Sequence, residues 1–394
     1  MKPRCSRSSL TRRDLLAAAA AAPATALTAS RLAAANAPSS SVSIVRCRTY
    51  DDFHRQLATA FNNVGGIEKL VRGKTVAIKL NLTGGPDAFP VSPALPFRTD
   101  ARTLTATVAL LAQAGARRVR IIESFFPASQ DLALWSRYGI DVNGIGKLGV
   151  PVVWDNVQNL GPYKSYTRLK VPTGGLLYPS YDMNQALVDC DVYFSLAKMK
   201  DHGTAGVTLS MKNNFGNSPC SLYGGDCGPD GNEQPTEVRV AVLHRGTTKA
   251  PKGVAPELDP NSPRDPGYRV PRVTVDQVGI RPIDVAIIDG VETVRGGEGP
   301  WLRGLEKMTP GVIVVGRNPV CTDSVAMAVM GYNPRADRGT APFHVGDNHL
   351  KLAESVGLGT TDLTRIEVVG LSIDAARINF GPGAVGKKLN ELKS

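Results

Sequence analysis

The chain of 394 residues is 42% hydrophobic and 21% charged, which is typical of a folded globular protein and excludes a largely disordered one. Its formal net charge is +11, of which residues 1–37 contribute +5 and the remainder carries +6. A surface that binds nucleic acid shows a clustered basic stripe, so this dilute excess argues against a nucleic-acid partner.

The first 37 residues read as an export signal that is separate from the fold. Arg12 and Arg13 precede two leucines and an Ala-rich run, which ends in Ala35-Asn36-Ala37. A basic segment, a short apolar run and a small-residue cleavage site form a secretory signal, and the paired arginines indicate the bacterial twin-arginine pathway. We expect the twin-arginine export machinery as a partner and a periplasmic or extracellular mature protein. The alternative is a frayed Ala-rich helix, and the position of cleavage stays open because Pro38 follows Ala37.

Export narrows the chemistry that we expect. ATP and NAD are scarce outside the cytoplasm, so kinases and NAD-dependent dehydrogenases are disfavoured. Residues 144–149 fit G-x-G-x-x-G, but they precede a strand instead of opening a helix, so the dinucleotide fingerprint fails. Beyond the signal, no apolar run approaches the roughly 20 residues that span a bilayer, and no stable membrane span is expected.

The cysteines do not indicate a metal cluster. The five that follow residue 37 form no C-x-x-C pair, so neither an iron–sulfur cluster nor a structural zinc site is expected. Cys220 and Cys227 flank a Gly-rich loop, and either a disulfide or two thiols fits that spacing. Cys190 and Cys321 lie beside apolar runs and are expected in the core.

Short apolar strands alternate with amphipathic helices after the Ser-rich linker at residues 38–43. The predicted strands are Val42–Arg48, Thr75–Leu80, Val119–Ile122, Pro151–Trp154, Val192–Ala197, Val285–Ile288, Val312–Val315 and Ile366–Val369. Helices are predicted from Asp51, from Thr99 or Asp100, and over Leu132–Tyr138, Val320–Met330 and about Asn348–Val356. This alternation predicts a single α/β domain over residues 38–394, with a mostly parallel, doubly wound sheet and helices on both faces. Residues 217–270 are rich in Gly, Pro, Asp and Asn and are predicted to form a long loop or lid.

Polar side chains follow four of the predicted strands. Ligands of open parallel sheets bind beyond the carboxyl ends of the strands, so these ends predict one site. Taken singly, each end is explained as well by a loop contact or a helix cap. The residues are Lys79 and Asn81, then Glu123 and Ser124, then Lys198, Lys200 and His202, and finally Asp289 and Gly290.

The group at Lys198, Lys200 and His202 predicts an anionic ligand. If the strand pleat continues through these alternate residues, they share one face. Lys212 follows on a probable helix, and Asn213 is either a helix cap or a ligand contact. Clustered cations repel one another unless an anion or an acidic partner is present, which favours a phosphate, sulfate or carboxylate group.

Acidic residues suggest a second component of the site. Asp289 and Asp323, with Glu298 and His202, would suit a hard divalent metal, although a helix dipole alone explains an Asp in the first turn of a helix, as at Asp323. His344, Asp347 and His349 match no zinc spacing and read as loop and helix-start residues.

Several stretches resemble the bacterial and archaeal domain of unknown function 362 family. They include KLNL near residue 80, AKMKDHGTAGVTLSMKNNFGNSP, VAIIDGVETVRGGEGP and VIVVGRNPVCTDSVAMAVMGYNP, and the resemblance spans roughly residues 75–360. It implies one continuous α/β domain and no particular reaction. Some relatives carry ferredoxin-like cysteine clusters, which this chain lacks. The site that the resemblance implies comprises Lys79, Asn81, Lys198, Lys200, His202, Lys212, Asn213, Asp289 and Asp323.

These observations lead to the hypothesis of an exported enzyme that binds a small anionic molecule. Lys198, Lys200 and Lys212 would hold the anion, and Lys79, Asn81 and Asn213 would complete the pocket. Lys200 is also predicted to be catalytic, and Asp289 and Asp323 would hold a divalent metal or orient the ligand. His202 would act as general acid or base, because an ordinary imidazole titrates near neutral pH. The alternatives are a non-catalytic binding or envelope-assembly protein and a protein that handles a metal or a redox cofactor.

Overall fold

The computed structural model describes residues 33–86, 95–125, 131–158, 165–224 and 239–384. The twin-arginine motif lies outside these residues. So does Cys227, and with it the question of a disulfide to Cys220. Among the described residues no helix has the length and apolar character needed to cross a membrane.

Each of the eight predicted strands has a counterpart that begins within about two residues of the predicted start, and the described residues contain six further strands. The strands are β1 Val42–Arg46, β2 Thr75–Lys79, β3 Arg118–Glu123, β4 Val152–Asn156, β5 Tyr166–Lys170, β6 Ser180–Asn184, β7 Val192–Lys198, β8 Asp201–His202, β9 Gly206–Val207, β10 Val285–Gly290, β11 Thr293–Arg295, β12 Glu306–Met308, β13 Val312–Gly316 and β14 Val368–Gly370.

Eight of these strands form one sheet in the order β14-β1-β13-β10-β7-β2-β3-β4. Strand β13 is antiparallel to β1 and to β10, whereas every other neighbouring pair in this sheet is parallel. The predicted mostly parallel α/β sheet is therefore confirmed. The β5–β6, β8–β9 and β11–β12 pairs were not predicted; they form separate two-stranded sheets.

Helices cover both faces of the large sheet. On one face, β-strand residues such as Val45 and Ile287 pack with the helices of the N-terminal half. On the other, their neighbours Ile44 and Ile288 pack with helices of the C-terminal half, because strand side chains alternate between faces. The helices are Phe53–Asn63, Glu68–Val71, Ala101–Gln113, Leu132–Ser136, Val142–Ile145, Leu209–Asn214, Cys220–Tyr223, Pro266–Ile280, Pro319–Val329, His349–Ser355 and Ile373–Ala376.

The loop or lid predicted over residues 217–270 is more structured than its composition suggests. It contains a π-helix at Val240–Arg245, and the long helix Pro266–Ile280 begins inside it. Arg269 in that helix is fully buried, and its Nη2 lies 2.8 Å from Glu257 Oε1. The prediction of a loop is wrong for the C-terminal part of residues 217–270. Short apolar runs lie between the Gly and Pro residues there, and they pack against the core.

The helix Leu209–Asn214 is held at its N-terminus by one carboxylate. Asp323, on the helix Pro319–Val329, accepts hydrogen bonds from the backbone N–H groups of Ser210 at 3.0 Å and Met211 at 2.8 Å. It also accepts one from the Ser210 hydroxyl at 2.6 Å. The first turn of a helix leaves its N–H groups without intrahelical partners, so this side chain fixes the position of the whole segment.

We expect Asp323→Ala to lower the free energy of unfolding by about 2–4 kcal/mol, because three buried donors lose their acceptor. Urea denaturation measures this loss. Asp362→Ala serves as the matched control, since Asp362 caps the exposed 3₁₀ turn at Leu363–Arg365. Equal effects of the two changes would show that Asp323 has no special role in fixing the helix.

Candidate functional site

The carboxyl ends of four neighbouring parallel strands lie at one edge of the sheet. Strands β10, β7, β2 and β3 are adjacent, so the predicted residues at their ends meet at this edge. Strand β7 stops at Lys198, and His202 belongs to the separate β8–β9 pair. The assumption that one pleat carries Lys198, Lys200 and His202 is therefore wrong, and each side chain has its own environment.

Lys198 and Asp289 form a buried ion pair between β7 and β10. The two residues are directly opposite in the strand register, and Lys198 Nζ lies 2.7 Å from Asp289 Oδ2. Tyr50 donates its hydroxyl hydrogen to Asp289 and accepts a hydrogen bond of 2.7 Å from Lys198. Lys198 and Asp289 are at most 1% exposed. The charge of Lys198 is thus neutralised within the protein, which leaves this lysine poorly suited to clamp an external anion.

Lys79 has a similar partner on the next strand. Its Nζ lies 2.6 Å from Glu123 Oε1, and it also donates to the carbonyl oxygen of Leu80 at 2.6 Å. Glu123 accepts further hydrogen bonds from the N–H groups of Leu82 and Ser124. The ammonium and the carboxylate satisfy each other, so we assign Lys79 to the architecture of the edge and not to ligand contact.

Lys200 joins three segments of chain. Its fully buried ammonium donates to the carbonyl oxygens of Phe97 at 2.6 Å and Glu298 at 2.8 Å, and to the Thr83 hydroxyl at 3.1 Å. Burial, followed by the nearby cations, lowers the pKa of Lys200 well below that of a free lysine. With three donor hydrogens used, Lys200 positions the loop that carries Glu298.

His202 is a neutral imidazole with a defined tautomer. Its Nδ1 accepts hydrogen bonds from the backbone N–H groups of Thr204 at 3.1 Å and Ala205 at 3.2 Å, which places the ring proton on Nε2. Burial lowers the pKa of His202 well below 6.5, and the charges of Lys212 and Lys200 lower it further. This differs from the sequence prediction of a pKa near neutral pH, and it leaves Nε2–H as the donor that the ring can offer to a ligand.

Lys212 differs from the other three buried lysines. It lies in the last turn of the helix Leu209–Asn214, and its Nζ is 4.2 Å from the centroid of the Phe215 ring. Within the described part of the chain this Nζ makes neither a hydrogen bond nor an ion pair. Burial lowers the pKa of Lys212 to about 7, against a partial opposing effect of Glu298.

His244 lies next to Lys212 and was missed by sequence analysis. The two residues contact the same Phe215 ring, whose centroid is 5.3 Å from that of His244. Burial and the charge of Lys212 lower the pKa of His244 well below 6.5. Sequence analysis did not select His244 because it lies in a Gly- and Pro-rich stretch that was read as a loop. The chain has only five histidines, so each of them was a candidate site residue.

Positive charge exceeds negative charge around Lys212. Arg239 donates to the carbonyl oxygens of Ser218 at 2.6 Å and Gly216 at 2.9 Å instead of to a carboxylate. Glu298, which accepts from Trp301 Nε1 and the Gly203 N–H, is the carboxylate whose charge acts on Lys212. We call Lys200, His202, Lys212, Arg239 and His244 the basic cluster.

The two predicted amide ligands lie beside the lysines of the strand ends. Asn213 donates through Nδ2 to the Ser195 hydroxyl at 3.0 Å, and Asn81 Nδ2 lies 3.4 Å from the Thr83 hydroxyl that binds Lys200. In the part of the chain that the structure describes, the buried Oδ1 atoms of both amides have no hydrogen-bond partner. Buried polar atoms are normally satisfied, so these two oxygens mark unfilled hydrogen-bonding capacity at the edge.

The structure does not assemble the predicted metal site. Asp323 binds a helix N-terminus and Asp289 binds Lys198 and Tyr50. Over the described ranges, no group of three or more His, Cys, Asp or Glu side chains is arranged to hold a metal ion. His349 is the first residue of its helix, as predicted, and its buried ring has a pKa of about 3 because of burial and of Lys212.

Three residues of the basic cluster are buried and two are partly exposed. Lys200 is fully buried, His202 is 7% and Lys212 9% exposed, whereas residues Arg239 and His244 are partly exposed. Two surface cavities, of about 230 and 400 Å³, lie elsewhere: one is beside Arg317 and Pro319, and the other is beside Arg168 and Pro251. Neither is lined by a residue of the basic cluster.

The fold and the site define an α/β protein with a basic cluster at the carboxyl edge of a mostly parallel sheet. The chain belongs to the family described as "Domain of unknown function (DUF362)", whose model matches residues 76–328. This confirms the family resemblance seen in the sequence.

Other comparisons add little to this assignment. No curated protein matches the chain. Among solved structures, the chain is similar to the lactate racemase apoprotein from Thermoanaerobacterium thermosaccharolyticum, with 13% identity and a TM-score of 0.37. That match covers 68% of this chain and 54% of the racemase chain, and at this TM-score it carries no argument about activity.

Lysine-to-methionine substitutions at positions 79 and 212 should change stability in opposite directions. Lys79→Met leaves Glu123 as an uncompensated buried charge and should lower the free energy of unfolding by about 3–5 kcal/mol. Lys212→Met should raise it by roughly 2–4 kcal/mol at pH 6, because the unpaired amine no longer has to be buried in its charged form. Denaturant titration of both variants measures the difference.

The effect of Lys212→Met on the free energy of unfolding should depend on pH, because folding lowers the pKa of Lys212. The pKa of Lys212 is about 7 in the folded protein and near 10.5 when exposed, so the unfolded chain binds the extra proton between these values. The stability gain of Lys212→Met should therefore be full below pH 7 and shrink as the pH rises toward 10.5. A loss of stability at pH 6 would instead make Lys212 a structural residue.

Proposed function

We propose that the protein is an exported enzyme that binds a small anionic molecule at the basic cluster. The observation that supports this most directly is the nearly buried amine of Lys212, which lacks a hydrogen-bonded or ion-paired partner among the described residues. A buried charge is costly unless it is paired. A ligand that supplies a negative charge would remove this cost, and the adjacent charge of Arg239 adds to the attraction.

The neighbours of Lys212 suit a ligand with negatively charged oxygen atoms. His202 offers an Nε2–H donor with no competing acceptor within the described residues, since Nδ1 is already fixed by Thr204 and Ala205. An anion placed here would favour the ammonium form of Lys212 and accept from both groups. Lys200 and Asp323 would act indirectly, by holding the Glu298 loop and the Lys212 helix.

Binding of the anion should be coupled to proton uptake by Lys212. In the folded protein without ligand, Lys212 has a pKa of about 7, and a bound anion raises this pKa because it stabilises the ammonium form. Affinity for sulfate, which does not titrate in this range, should be constant below pH 7 and fall by about tenfold per pH unit above it. Calorimetry in two buffers of different ionisation enthalpy measures both the affinity and the number of protons taken up.

Two substitutions test whether the sulfate binding measured by calorimetry takes place at Lys212. Lys212→Met should abolish sulfate binding, whereas Lys69→Met, at an exposed position in the helix Glu68–Val71, should leave it unchanged. Sulfate binding by Lys212→Met at the affinity of the original protein would refute the site. Binding without turnover of any small anion would favour the non-catalytic binding protein.

Export is a separate part of the proposal. Changing both Arg12 and Arg13 to Lys should retain the protein in the cytoplasm of a bacterium that has the twin-arginine pathway, because that pathway requires the arginine pair. Cell fractionation measures the distribution. The matched control changes Arg4 and Arg7 to Lys, which preserves charge outside the motif and should leave export intact; equal retention of both variants would contradict the assignment.

A further inference from the structure

The basic cluster contains one lysine, Lys212, whose amine makes no hydrogen bond to any residue that the structure describes. Lys79, Lys198 and Lys200 each donate to protein oxygens within 2.6–3.1 Å. The Nζ of Lys212 lies instead over the Phe215 ring, the residue is 9% exposed, and Asp323 fixes the first turn of its helix. An amine in this position is held in place and is chemically available.

We propose that Lys212 is a nucleophile that forms an imine with the carbonyl group of a small oxo acid. This inference rests on the proposed anion site and specifies its class of substrate. The acid group of an oxo acid would bind on the Arg239 side of that site, which leaves the Lys212 amine and the Nε2–H of His202 for the carbonyl group. Reactive lysines in proteins arise where desolvation or a neighbouring cation keeps the amine uncharged. Both conditions occur at Lys212, which is buried and lies near Arg239 and Lys79.

The step requires the groups in the cluster, the substrate and one proton from solvent. The lone pair of Lys212 Nζ forms a bond to the carbonyl carbon, and the electron pair of the C=O double bond moves to oxygen, to which His202 donates a hydrogen bond through Nε2–H. The nitrogen loses one proton to the neutral imidazole of His244, which passes it to the alkoxide and so forms the neutral carbinolamine. A proton from solvent then converts the hydroxyl group to water, which leaves as the nitrogen lone pair forms the C=N bond. Neutral amine, carbonyl compound and one proton are converted to protonated imine and water, with no oxidation or reduction.

The arrangement favours an oxo acid over a simple aldehyde or ketone. Arg239 supplies a positive charge beside the amine, and its hydrogen bonds to the Ser218 and Gly216 carbonyls hold it there. A carboxylate directed at this charge would place an adjacent carbonyl carbon toward Lys212. The uncharged His202 can donate to the carbonyl oxygen without adding a second full charge.

Reductive trapping tests the proposal. The purified protein is incubated at pH 7 with pyruvate or glyoxylate and cyanoborohydride, which reduces an imine to a stable secondary amine, and peptide mass spectrometry locates the adduct. A lysine with a pKa of about 7 is half uncharged at this pH, so Lys212 should be labelled on the order of 100-fold faster than exposed lysines such as Lys69. Sulfate should slow the labelling by competing for the site.

Lys212→Arg separates this inference from the proposed function. Arginine preserves the positive charge but is not a nucleophile, so the variant should still bind sulfate and should lose selective labelling. Sulfate binding by the original protein, without labelling of Lys212 above the other lysines, would overturn the imine and leave the anion site standing. Absence of both sulfate binding and labelling would overturn the two together.

Discussion

The structure depends on how positive charge is buried at one edge of the sheet. Removing an ammonium group from water costs several kcal/mol unless a partner replaces the lost solvation. Lys79 and Lys198 have carboxylate partners, and Lys200 has two carbonyl oxygens and a hydroxyl group. Lys212 makes no hydrogen bond or ion pair with the described residues, and the charge of Glu298 partly offsets its burial. Within the described ranges, this edge therefore contains three lysines that the fold satisfies and one that it does not.

The order of the strands creates this distinction. Because β10, β7, β2 and β3 are adjacent and parallel, a lysine at the end of one strand faces a carboxylate at the end of the next. Lys198 and Asp289 are opposite in register, and Glu123 lies one strand away from Lys79. Lys212 comes from the helix Leu209–Asn214, and none of the described strand ends supplies it with an ion-paired carboxylate. The strand-end lysines are thus neutralised within the sheet, whereas the helix places the Lys212 amine beside them without such a partner among the described residues.

The sequence predicted the strands well because apolar runs report burial directly. It also predicted that polar strand ends meet, since that follows from a parallel sheet. It did not predict which charges pair, because pairing depends on strand order, and the order is set by contacts between distant segments. Tyr50 precedes the first helix yet completes the Lys198–Asp289 pair. His244 lies in a stretch whose Gly and Pro content indicated a loop, and the neutral state of His202 depends on two backbone N–H groups that no spacing rule reveals.

A purely architectural role for Lys212 explains the structure poorly. Its Nζ lies 4.2 Å from the centroid of the Phe215 ring, but an apolar side chain such as methionine would fill this position without burying an amine. A buried carboxylate, that of Asp323, also fixes the helix that carries Lys212. Strain and unpaired polar groups are retained where function requires them, and the surrounding structure stabilises them. A fixed amine kept partly uncharged by burial, beside a histidine that donates through Nε2 and an arginine without a carboxylate partner, is the arrangement that carbonyl chemistry on an anionic substrate requires.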